Sequence, residues 1–201
     1  LSVLLVAAIA RRLWPEEGLR PWIAIGFFVT SSEFLMTSGT GYSMPAHLAL
    51  NLLWVWLYQR GDARSWGFAL AIGVLALGLH NPIPHALFVA PFMLRLLRDR
   101  RWKRLAAAAI VYAAGAALWM AWLRMANPFA RAGGPGLFAM FALPNAIGVW
   151  LQTVNLSLLL TWHAPLLGVL AFIGIVRARR LDPVLADLSL GVLFTLGFYF
   201  F

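Results

Sequence analysis

The stretch WGFALAIGVLALGLHNPIPHALFVAPFMLRLL, Trp66 to Leu97, decides how this chain is read. It is an apolar run interrupted at its centre by His80-Asn81-Pro82-Ile83-Pro84-His85. As one helix its 32 residues would rise about 48 Å against about 30 Å of hydrocarbon, with two prolines where backbone donors are needed. Two short helices fit better, at 66–79 and 86–97, with 14 and 12 residues and rises of about 21 and 18 Å. Arg60 and Arg64 precede the pair; Arg95, Arg98, Arg100, Arg101, Lys103 and Arg104 close it. Basic loops stay in the cytoplasm, so both flanks are rooted inside and the hexapeptide faces out. Arms this short place it below the outer lipid surface, where irregular backbone is tolerated only against protein or a watery cavity.

The rest of the chain has the same character. Hydrophobic residues make up 62% and charged residues 11% of 201 positions, with a mean hydropathy of +0.81, outside the range of soluble domains. The expected fold is all-α: one polytopic transmembrane helical bundle over 1–201, with short, broken helices. The net charge of +9 does not argue for nucleic acid, because the basic residues form short clusters between apolar spans rather than one soluble face. Zero cysteines exclude disulfides and thiolate metal sites. The chain opens on an apolar run without methionine and closes on Gly197-Phe198-Tyr199-Phe200-Phe201, so an internal fragment lacking both native ends is expected.

Apolar segments fall at 1–10, 21–37, 45–58, 66–79, 86–97, 105–123, 164–176 and 183–201. With Arg11, Arg12 and Arg20 inside, 14 of the 16 Lys/Arg lie in inner loops, and only Arg124 and Arg131 lie outside. Counting 137–162 as a further span would carry Arg177, Arg179 and Arg180 outside. That segment instead bears Asn145, Gly148, Gln152 and Asn155 as one polar helical stripe beside Ile147, Trp150, Leu151, Val154 and Leu158. It is expected to be a helix along the outer interface.

This topology gathers the non-basic polar residues at the outer face. Glu33 sits in the outer third of its span, where a carboxylate needs a partner or a wet cavity; it serves either a substrate or a neighbouring helix. The turn Ser38-Gly39-Thr40-Gly41-Tyr42-Ser43 offers backbone amides to a phosphate or is a plain tight connection, and Ser43 suits a helix cap. His80 and His85, with His47 or Glu33, have the donor chemistry of a zinc or manganese site, although their spacing matches no strong metal motif; hydrogen bonding to backbone or a polar ligand is the other reading. A divalent metal is thus the one cofactor the residues admit. Asn81 before Pro82 forms a turn and can bind a sugar hydroxyl. Arg124 and Arg131, the exceptions to the charge rule, suit a bidentate grip on phosphate or snorkel to headgroups.

The pattern resembles the polytopic glycosyltransferases of the GT-C superfamily, in their protein-mannosyltransferase-like and aminoarabinose-transferase-like bacterial branch. The likeness covers roughly residues 1–125. It rests on Ala10-Arg11-Arg12-Leu13-Trp14 after an apolar helix, the small-residue outer turn, and a short helix returning to Tyr58-Gln59-Arg60-Gly61. Gly73-Val74-Leu75-Ala76-Leu77-Gly78-Leu79, a proline-bearing outer turn, and Ala90-Pro91-Phe92-Met93-Leu94 leading to Arg100-Arg101-Trp102 complete it. The resemblance implies transfer of a sugar from a polyprenyl-phosphate donor to a lipid, glycan or protein acceptor, outside a bacterial cytoplasmic membrane. It places the catalytic carboxylate in a first outer loop, expected upstream of Leu1. Glu33, Tyr42, Ser43, His80, Asn81 and His85 would then line the substrate cavity, and Arg124 or Arg131 would meet the departing phosphate. A transporter or flippase of lipid-linked saccharides shares the need for interrupted helices and a polar midmembrane site. A noncatalytic membrane subunit is the third possibility.

Overall fold

In the computed structural model, residues 1–15, 18–30, 34, 44–79, 82–126, 147, 150–151, 153–154, 173, 177 and 182–198 are described. Their regular structure is helical throughout, which establishes the all-α class. The helices are α1 (Ser2–Leu13), α2 (Arg20–Thr30), α3 (Met44–Arg60), α4 (Ala63–Leu79), α5 (Pro82–Arg98), α6 (Trp102–Ala126) and α7 (Pro183–Phe198). Each falls on an apolar segment of the sequence. Among the described residues, α6, with 25 residues, is long and apolar enough to cross a membrane; α4 and 183–195 are apolar but shorter. Of the expected outer helix, Ile147, Trp150, Leu151, Thr153 and Val154 are helical, with all but Val154 exposed. Its polar stripe lies outside the described residues.

The central hairpin departs from expectation in length. Both α4 and α5 have 17 residues, a rise of about 25 Å, because each begins earlier than the apolar pattern does. For α4 the cause is a cap. Asp62 accepts from the Ser65 backbone N–H at 2.8 Å and from its hydroxyl at 2.6 Å, satisfying a first-turn donor and drawing Ala63, Arg64 and Ser65 into the helix. For α5 the cause is proline itself. Pro82 and Pro84 stand in the first turn, where the missing N–H costs no intrahelical bond. The prolines therefore start a helix instead of forming the turn, and only residues 80 and 81 separate the two arms.

The Asp62 carboxyl is held below its ordinary value chiefly by the Ser65 hydroxyl and then by the Ser65 N–H. A depressed folded-state value means that the cap's contribution is complete above the ordinary carboxylate range and fades as pH falls through it. Thermal unfolding of the native chain and of Asp62→Asn is expected to differ by a constant amount above about pH 5 and to draw progressively together as the pH falls below about 4. A gap that does not narrow as the pH falls below about 4 would remove the carboxylate from the cap.

The contacts divide the chain into two units, Leu1–His85 with Leu96–Ala116, and Ala86–Arg95 with Ala117–Phe201. In the first, α3 and α4 form the closest pair and α1 packs on α2 and α3. Gly61, at φ +74, turns the chain between α3 and α4 and returns its N–H to the Tyr58 carbonyl, a conformation that suits a residue without Cβ. The turn brings Trp66 edge-on to Trp54, which stacks on Tyr58 at 5.3 Å between ring centroids. Such pairs add about 1 kcal/mol each beyond the area they bury.

In the second unit, residues 86–95 of α5 meet α7. Gly191 lies against the Phe88 carbonyl, leaving no room for a Cβ; close backbone approach of this kind is how small residues join apolar helices. Asp182 caps α7, accepting from Val184 N–H at 2.7 Å and Leu185 N–H at 3.0 Å. One turn later Asp187 pairs with Arg95, which also donates to the Pro183 carbonyl.

Candidate functional site

Inside the first unit, four polar side chains from three helices meet in apolar surroundings. His85, in the first turn of α5, is fully buried. Its Nδ1 lies 2.6 Å from Asn51 Oδ1 on α3, and its Nε2 lies 3.3 Å from the Tyr112 hydroxyl on α6. Asn51 Nδ2 in turn lies 3.2 Å from Nδ1 of His47, one turn earlier on α3.

The donors and acceptors can be assigned from Asn51. Its carbonyl oxygen only accepts, so His85 Nδ1 carries the proton and His85 Nε2 accepts from the Tyr112 O–H. The amide nitrogen only donates, so His47 Nδ1 accepts and Nε2 holds the His47 proton. The result is a one-way chain, Tyr112 to His85 to Asn51 to His47, with both imidazoles neutral. Turning the amide over would reverse every bond in it. Such networks stiffen a core when all members are satisfied, and leave costly orphans when one is removed.

The sequence permits the cluster through small residues and spacing. His47 and Asn51 stand at i and i+4, on one face of α3. On α4, Gly73 makes room for Tyr112: a Cβ there would come within 2.7 Å of the tyrosine ring carbons. Gly115 likewise admits Val74, whose Cγ2 would lie 2.8 Å from an added Cβ.

Of the residues expected at a site, the structure brings His85 together with His47. Arg124 is exposed in the last turn of α6. Glu33, Tyr42, Ser43, His80, Asn81 and Arg131 lie outside the described residues. Among the described residues no three His, Cys, Asp or Glu side chains are grouped as metal ligands, and Nδ1 of both His47 and His85 is engaged by Asn51. Asn51 and Tyr112 escaped the sequence reading. The i, i+4 spacing from His47 was a usable signal for Asn51, whereas nothing local marks Tyr112. Comparison with protein-family models, with characterised proteins and with solved structures finds no match for this chain.

Proposed function

We propose that the chain is part of a polytopic bacterial membrane glycosyltransferase of the GT-C kind, moving a sugar from a polyprenyl-phosphate carrier to an acceptor on the extracytoplasmic side. The observation that carries this reading is the buried polar chain that runs through His85, in the turn of α5 that follows His80 and Asn81 in the sequence. Polar side chains buried within apolar helices are costly, and in membrane proteins they mark substrate paths. The distribution of basic residues, the span-length α6 and the pattern over residues 1–125 support the same reading.

In the reaction, an acceptor oxygen forms a bond to the anomeric carbon as the bond to the carrier phosphate breaks. The acceptor proton passes to a general base, and the phosphate leaves with the bonding electrons. His80 and Asn81 contact sugar hydroxyls, and His85 is a positioning residue, its two ring nitrogens already engaged. In this reading Glu33, Tyr42 and Ser43 contribute to substrate binding. Arg124 or Arg131 stabilises the leaving phosphate, where charge develops.

Transfer from a labelled polyprenyl-phosphate sugar by the full-length protein in liposomes tests the reading. Turnover is expected to fall at least about 100-fold in His80→Ala/Arg124→Ala, with helicity and melting unchanged. Full turnover in that folded variant would overturn the site assignment. Translocation of the intact lipid-linked sugar without transfer would identify a flippase instead.

A further inference from the structure

We propose that the turn joining α5 to α6 binds the headgroup of an anionic phospholipid. Arg100, Arg101, Trp102, Lys103 and Arg104 line an open cleft of about 480 Å³ there. Four of these five residues are cations and none is a carboxylate; the adjacent Asp99 lies 3.7 Å from Arg98 instead.

The backbone that shapes the cleft is held at both ends. Arg101 N–H bonds to the Leu96 carbonyl at 2.8 Å and Arg100 N–H to the Leu97 carbonyl at 3.1 Å, a paired closure of the α5 C-terminus that places the intervening residue in the left-handed region. Glycine is the ordinary occupant of that position, yet Arg100 holds it at φ +55, so a guanidinium stands where the chain turns most sharply. On the other side Arg104 donates to the Gly61 carbonyl, tying the foot of α6 to the α3–α4 turn.

Trp102 decides the ligand class. It is 58% exposed and is the first residue of α6, the span-length helix. An exposed indole between cations at the foot of an apolar helix matches the headgroup level of a bilayer, where tryptophan and basic residues collect. A nucleic acid or free phosphate would use the cations but not the apolar helix leading away from them. Arginine pairs can grip a phosphodiester through two parallel N–H donors each. The inference rests on α6 crossing a membrane and is independent of the sugar chemistry.

The test is a titration of the detergent-solubilised protein with phosphatidylglycerol, phosphatidylcholine, inorganic phosphate and a single-stranded RNA, with bound species counted by native mass spectrometry. Phosphatidylglycerol is expected to bind in preference to the other three. Arg100→Gln/Arg101→Gln/Lys103→Gln is expected to weaken it about 100-fold, near five-fold per charge, while Arg11→Gln/Arg12→Gln/Arg20→Gln costs less than about five-fold. Trp102→Ala should weaken lipid binding and leave the response to inorganic phosphate unchanged. Equal losses in the two triple variants, at unchanged helicity, would show general charge attraction and overturn the site. Phosphate or RNA binding as tightly as the lipid would overturn the lipid assignment.

Discussion

Asp187→Ala is expected to destabilise the protein by about 3 kcal/mol, because it strands a nearly buried arginine. The side chains of Arg95 and Asp187 are only 15% and 8% exposed, so Arg95 would keep its charge with little water to replace the carboxylate. Its bond to the Pro183 carbonyl remains, and compensates only part of that loss. The pair as a whole contributes far less than the single variant suggests, since burying two charges costs almost what their attraction returns. Arg95→Met/Asp187→Leu is therefore expected to be clearly more stable than Asp187→Ala. Equilibrium unfolding in mixed detergent micelles measures all three. Equal losses for the single and double variants would mean that the contact acts through packing around Gly191 and Phe88, with charge playing no part.

His85→Ala is expected to cost a similar amount, about 3 kcal/mol, by a different route. It leaves Asn51 Oδ1 and the Tyr112 hydroxyl without the imidazole between them, at about 1–3 kcal/mol for each buried orphan, and opens a cavity besides. His85→Asn can restore one of the two bonds and should recover part of the loss. Gly73→Ala reaches the same bond from the other side: its methyl group drives Tyr112 away from His85 while no polar side chain is removed. The tyrosine is the end of a side chain and can yield, so the expected loss is smaller than for His85→Ala. Combining Gly73→Ala with Tyr112→Phe should then add little to either alone. Full additivity of the pair would show that Gly73 does not act through Tyr112.

The helices were legible because their apolar segments and their terminators are local. Residues 45–58 and 105–123 stand out by hydropathy alone. The hairpin helices begin before their apolar runs for a physical reason. Hydropathy sees apolar side chains, whereas helix limits are set by backbone hydrogen bonds that a cap such as Asp62 or a first-turn Pro82 can satisfy beyond the apolar run. For the same reason the apolar pattern puts His85 in a turn, whereas Pro84 and His85 both belong to α5.

The candidate site was legible only in part. His47 and His85 were singled out as residue types that need a reason to be in an apolar chain, and that reasoning is local. Their partners depended on which helices pack. Asn51 lies 34 residues from His85 and Tyr112 lies 27, separations at which no periodicity carries information.

By itself the sequence determined an all-helical chain, the order of its helices and the clustering of its basic residues, because hydropathy, capping and charge act within a few residues. Only the tertiary structure decided that Asn51 would join two histidines to Tyr112, that Gly73 and Gly191 would be points of backbone approach, and that Arg95 would be answered by Asp187. Each of these is a contact between separate helices. It depends on the shape of both surfaces, and one strand of sequence shows one surface at a time.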